Sequence, residues 1–177
     1  MKPYAIVYSS KTGNTKKVAE AMIEGREETF DLWDVKEKPV LDEYECIFMG
    51  YWVDQGAPDM GAKKVMATIM NKPVALFYTL GAEKEGPHAM TCAANGGAAL
   101  GAGCKVLGVF NSQGAIDPIV IEMMKKLPLG GPHAATAENI ARWASAAEHP
   151  NEEDLNAAKA FVQKIVGVYE NFYKIIP

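Results

Sequence analysis

Short continuous apolar runs alternate along this chain with stretches whose apolar positions recur every three or four residues. Tyr4-Ala5-Ile6-Val7-Tyr8 is the first run, and its length suits a strand covered on both faces. Val18, Ala19, Met22 and Ile23 then share one face of a predicted helix, which Gly25 ends. Residues 28–35 alternate polar and apolar, predicting an edge strand with one face in water. The charged stretch 36–45 contains Pro39 and reads as a connection. Residues 46–50 form a second continuous run, followed by a predicted loop over 51–58 that holds Tyr51 and Trp52. Asp59 is placed to cap a helix whose apolar positions are Ala62, Val65, Met66, Ile69 and Met70.

Pro73 opens a fourth strand over 74–80, and a polar, glycine-rich loop follows at 81–87. Residues 88–102 read as a helix of small side chains carrying Gly96, Gly97 and Gly101. Glycine costs about 1 kcal/mol inside a helix, so this composition predicts close packing against the sheet. A fifth strand covers 104–110 and ends in Asn111-Ser112-Gln113-Gly114. Strands stop there. Asp117-Pro118 starts a helix with Val120, Met123, Met124 and Leu127 at helical spacing. A second helix carries Ile140, Trp143, Ala144 and Ala147, and a third is opened by Asn151 with Asp154 three residues on. The tetrapeptide Gly-Pro-His-Ala occurs at 86–89 and 131–134, each time at a predicted helix start.

Strands alternating with helices predict an α/β fold, a parallel sheet covered on both faces. With right-handed crossovers the simplest order is 2-1-3-4-5, which puts the alternating second strand at the edge. The whole chain, 1–177, then reads as one domain, with 115–150 as an extra helical segment inside it. The switch point lies between the first and third strands, and ligands collect in such crevices at the carboxyl ends of strands. Three loops open there: Ser9 to Thr15, Tyr51 to Pro58, and Gly81 to Pro87.

The first of these, Ser9-Ser10-Lys11-Thr12-Gly13-Asn14-Thr15, holds four hydroxyls and one glycine. A helix N-terminus offers free backbone N–H groups and the positive end of its dipole, the requirements of a phosphate site. The nucleotide-triphosphate and dinucleotide glycine patterns are both missing. What remains, S-x-T-G-x-T directly after the first strand, resembles the FMN-phosphate loop of the flavodoxin family.

That resemblance covers about residues 1–114 and the closing helix near 152–170. It implies non-covalent FMN and one- or two-electron carriage. Ser10, Lys11 (through its backbone), Thr12, Gly13, Asn14 and Thr15 match the phosphate loop. Trp52 matches the aromatic that stacks on the ring, with Tyr51, Val53 and Asp54 around it. Thr79, Leu80, Gly81 and Ala82 match the loop after the fourth strand. That loop lacks the tyrosine many flavodoxins place over the ring, and His88 is the ring side chain nearby. Many flavodoxins also have glycine after the tryptophan, so that the peptide can flip; β-branched Val53 resists φ > 0. The pattern is similar to an anaerobe-type branch of the family that includes flavodoxin-like partners of bilirubin reductase.

Composition narrows the functional classes. A net charge of −4 leaves no basic stripe for nucleic acid. Cys46, Cys92 and Cys104 show neither a C-x-x-C pair nor metal-ligand spacing, which suits reduced thiols. The start is too tyrosine-rich for a signal peptide, and no run approaches the 18 apolar residues of a membrane span. The expected location is the cytoplasm. Two functions fit: an electron carrier serving flavoprotein or iron–sulfur reductases, and an FMN-dependent NAD(P)H:quinone oxidoreductase in which His88 or Tyr51 would touch the substrate. A receiver-like module is disfavoured, because Ser9-Ser10 stands where an acidic pair is expected. The 115–150 segment could pack beside the flavin, dock a partner or join copies of the chain.

Overall fold

Strand β1 (Tyr4–Tyr8) is buried at all five positions, the consequence of helices on both faces of the sheet. The computed structural model describes residues 2–128, 130–131 and 133–174. After β1 come α1 (Asn14–Ile23), β2 (Phe30–Asp34), β3 (Cys46–Asp54) and the two-residue β4 (Ala57–Pro58). Then follow α2 (Met60–Met66), β5 (Pro73–Leu80), α3 (Pro87–Ala98) and β6 (Lys105–Gln113). The chain closes with α4 (Pro118–Met124), α5 (Ala137–Ala147) and α6 (Glu152–Val168).

The sheet runs β2-β1-β3-β5-β6, all parallel. This is the expected 2-1-3-4-5 order once β4, which pairs antiparallel with β3, is set aside. Strand alternation divides the core in two. Ile6, Phe48 and Phe77 face α1 and α6, packing on Met22, Val162 and Ile165. Val7, Met49 and Leu76 face the other way, toward Met66 of α2 and Cys92 of α3. Full burial of a side chain of this size contributes about 1.5–3 kcal/mol.

Several boundaries differ from expectation: α2 ends at Met66, before Ile69 and Met70, and β6 runs on to Gln113. Strand β3 continues to Asp54 instead of ending at residue 50, because Gly50 is not a terminator. A Cβ there would lie 2.1 Å from the Phe77 ring, so the glycine admits that ring from β5. Helix α3 stops at Ala98, and Gly101 sits outside it, against the carbonyl of Ile69. Gly96 fulfils the expectation of close packing, since a Cβ would meet the Tyr51 hydroxyl at 2.3 Å. The second Gly-Pro-His-Ala does not start a helix: α5 begins at Ala137 under a Thr136 cap, and Pro132 lies outside the described residues.

Helix starts follow the sequence closely. Asp59 caps α2 by accepting from the N–H groups of Gly61 and Ala62, and Asp117 caps α4 through Ile119. Asn151 and Asp154 form a reciprocal capping box on α6. Among the described residues no helix is long and apolar enough to cross a membrane.

Candidate functional site

The turn leaving β1 is fixed from below. Ser9 N–H donates to the Gly50 carbonyl (3.0 Å), and its hydroxyl donates to Asp59 Oδ1 (2.8 Å). Asp59 is 5% exposed, and its Oδ1 also takes the Gly61 and Ala62 amides, while Oδ2 has no partner among the described residues. Gly13 turns the chain into α1 with φ +96°, a left-handed conformation that glycine adopts without strain.

The donors above this base are those a phosphate needs. The N–H groups of Asn14, Thr15 and Lys16 have no acceptor among the described residues, as the first turn of a helix requires. Gly13 N–H donates to Ser10 Oγ (3.1 Å), and Asn14 Nδ2 donates to Thr12 Oγ1 (3.2 Å) and the Ala115 carbonyl (2.8 Å). The Ser10 and Thr12 hydroxyls therefore act as acceptors within the turn and keep their own protons to donate. Thr15 differs: its hydroxyl is buried and shares a 2.8 Å hydrogen bond with Thr79, tying the turn to β5.

A cleft of about 890 Å³ opens beside the turn, within the roughly 300–1,000 Å³ of small-molecule sites. Lys11, Thr12 and Asn14 line it from the turn, with Trp52, Val53 and Asp54 from the end of β3. Thr79, Leu80, Gly81 and Ala82 line it from β5, and His88 from the start of α3. Ser10 and Gly13 shape the turn without lining the cleft, and Thr15 lies beneath it. Most of the predicted residues thus meet at one place.

Tyr51 does not join them. It is fully buried in the sheet, stacked on Tyr78 with ring centroids 5.2 Å apart, and its hydroxyl donates to the Cys92 carbonyl (3.0 Å). Side chains alternate along a strand, so once β3 runs through residue 54, Tyr51 and Trp52 must face opposite ways. Burial pushes the Tyr51 phenol and the Cys92 thiol above their ordinary values, which keeps both neutral.

Trp52 is half-buried, with the Lys11 ammonium 5.5 Å from its ring centroid. Lys11 also pairs with Asp117 at 3.5 Å, so its side chain reaches across the cleft instead of contributing backbone alone. Val53 pairs with Pro58 in the β3–β4 hairpin, and the positive φ values fall on Gln55 (50°) and Gly56 (78°). Backbone freedom therefore sits at the hairpin tip, which Asn95 of α3 holds by donating to the Gly56 carbonyl (2.8 Å). His88 is exposed, with Nε2 3.7 Å from Cys92 Sγ.

The remaining side of the cleft is lined by residues of 114–127 together with His133, Arg142 and Trp143. Ile116 packs on Gly81, where a Cβ would collide at 2.5 Å. Val120, Met123 and Met124 of α4 form an apolar wall, with Leu127, Arg142 and Trp143 beyond it. Helical spacing in α4 was visible, but no periodicity says which partner a face will find. The carboxylates of Asp54 and Asp117 share this lining with the cations Lys11 and Arg142, of which Lys11 is the one paired with a carboxylate, that of Asp117, among the described residues.

A family model described as the flavodoxin domain matches residues 5–163. The chain belongs to the flavodoxin family. This flavodoxin-family chain is 30% identical over 166 residues to the flavodoxin-like domain-containing protein BilS of Clostridioides difficile (strain CD3), covering 91% of this chain and 94% of the relative. It superposes on oxidised flavodoxin 2 from Bacillus cereus with a TM-score of 0.54 at 16% identity, over 94% of this chain and 99% of that one. A Lactobacillus acidophilus flavoprotein solved in complex with FMN gives a TM-score of 0.50 at 19% identity, over 63% and 93%. Both structural likenesses speak for the fold. The site residues fit a flavodoxin cofactor on chemistry of their own: amide and hydroxyl donors converge at the α1 N-terminus for a phosphate, and Trp52 offers a face to a flat ring beside them.

Proposed function

We propose that this flavodoxin-family protein binds FMN in the cleft and carries electrons between redox enzymes, flavoprotein or iron–sulfur reductases among them. When bound, FMN supplies the redox chemistry, and the protein supplies binding and electrostatics. The observation that carries this reading is the junction of the 10–15 turn with Trp52 on one cleft wall. Backbone amides of Asn14, Thr15 and Lys16 with the hydroxyls of Ser10 and Thr12 hold the phosphate, at about 1.5–3 kcal/mol for each bond to a charged acceptor. Trp52 and the 79–82 strand end bracket the ring. No nucleophile–base pair lines the cleft among the described residues: the nearest such contact, Cys92 with His88, is long, and its thiol is held neutral by burial. A carrier asks nothing more of its lining, and we place its work in the cytoplasm.

The quinone-oxidoreductase reading is kept alive by the apolar side chains that α4 adds to the cleft lining. An anaerobic assay separates the two. FMN-loaded protein mixed with NADH or NADPH alone should stay yellow, and bleach only when a reductase protein is added. Bleaching by the nicotinamide alone, with turnover of menadione, would replace the carrier by the enzyme.

A further inference from the structure

The cleft lining draws on two chemically different sets of residues. The turn, Trp52 and the β5 end make the polar set assigned above to FMN. α4 and α5 contribute Val120, Met123, Met124 and Trp143, the last only 5% exposed. The same lining holds one guanidinium. Arg142 donates to Asn139 Oδ1 (2.8 Å), and no carboxylate pairs with it among the described residues. Asn139 is buried and donates in turn to the Ala134 carbonyl (2.7 Å), which fixes the acceptor that orients Arg142. Lys11, the other cation on the cleft lining, is already matched by Asp117.

Charge then sets Arg142 apart from the other cation of the lining. FMN brings one anionic group, and the donors at the 10–15 turn receive it. Arg142 belongs to a different element, α5, and no carboxylate among the described residues answers its charge. Arginine favours planar bidentate recognition of carboxylates, methionine adapts to flat apolar surfaces, and tryptophan stacks on aromatic rings. We propose that the α4–α5 side of the cleft binds a second molecule, a planar apolar carboxylate, with its ring against Met123, Met124 and Trp143 and its carboxylate on Arg142. The proposal rests on the FMN reading only for the identity of the neighbouring ligand.

The test uses the full FMN-loaded chain and two probes of equal shape, 2-naphthoate and neutral 2-naphthamide. Binding is read as quenching of tryptophan fluorescence, with W143F identifying the Trp143 component among the three tryptophans. It is also read as a shift of the visible flavin bands. Naphthoate should saturate at least tenfold more tightly than naphthamide. R142Q should abolish that preference while leaving the FMN dissociation constant within twofold, and R142K should restore part of it. Equal binding of the two probes, an R142Q protein that keeps the preference, or displacement of FMN by naphthoate would overturn the proposal. If the chain takes up no FMN yet Trp143 quenching still depends on Arg142, the carboxylate site stands and the cofactor reading fails. If FMN binds and naphthoate does not, the reverse holds.

Discussion

At Gly13 the backbone stands at φ +96° with nothing within 4 Å of where a Cβ would lie. Space is therefore no obstacle to a side chain there, and conformation alone is. An L-residue forced into the left-handed region loses about 1–2 kcal/mol, and the turn it would distort carries the phosphate donors. G13A should weaken FMN binding by roughly tenfold, since about 1.4 kcal/mol corresponds to that factor, as measured by quenching of FMN fluorescence. Tyr51 gives the opposite case. Its hydroxyl serves the Cys92 carbonyl inside the core, so Y51F should lower unfolding stability by about 1 kcal/mol and leave FMN affinity unchanged. A large loss of affinity in Y51F would return Tyr51 to the cofactor site. The adjacency of Tyr51 and Trp52 read as one aromatic loop in the sequence. Only the length of β3, set by how Gly50 admits Phe77, shows that one ring points into the core and the other lines the cleft.

At the scale of elements, the start of α6 is held by charge. Asp154 is 2% exposed. Burial alone would raise its carboxyl, but the hydrogen bond from His149, the Asn151 N–H and the Lys84 ammonium outweigh it and hold the group below the usual carboxylate range. A carboxylate with a depressed folded-state value adds stability that is complete above the unfolded value, about 3.9 for Asp. That stability is lost as pH falls through the folded value. Thermal unfolding of the native chain should therefore weaken steeply below about pH 4, whereas D154N should be less stable at pH 7 and show a flatter acid limb. Equal acid limbs would remove Asp154 from this role. Helix α3 depends on contact instead: G96A must push against the Tyr51 ring and should cost about 1–3 kcal/mol in denaturant unfolding. Of the glycines read as a packing signal, Gly96 is tight within this helix, whereas Gly97 has room and Gly101 lies beyond its end; the caps Asp59, Asp117 and Asn151 were legible because capping chemistry is local. The β3–β4 hairpin was not, since Gln55 at φ 50° is an uncommon choice for a left-handed position.

For the molecule as a whole, the strand order and the crevice between β1 and β3 follow from hydrophobic runs and crossover handedness, both readable without coordinates. What covers that crevice did not follow. The stretch after β6 returns so that Ala115 accepts from Asn14 and Asp117 meets Lys11, a return that depends on contacts more than a hundred positions apart in the chain. On the proposed function, this crevice grips FMN by its phosphate. The most direct measurement is a pair of titrations of the apoprotein, one with FMN and one with riboflavin, which lacks only that group. Hydrogen bonds to a charged acceptor contribute about 1.5–3 kcal/mol each, so the loss of even two predicts riboflavin binding at least about 100-fold weaker than saturable, one-to-one FMN binding. Equal affinity for the two flavins, or no uptake of FMN at all, would contradict it.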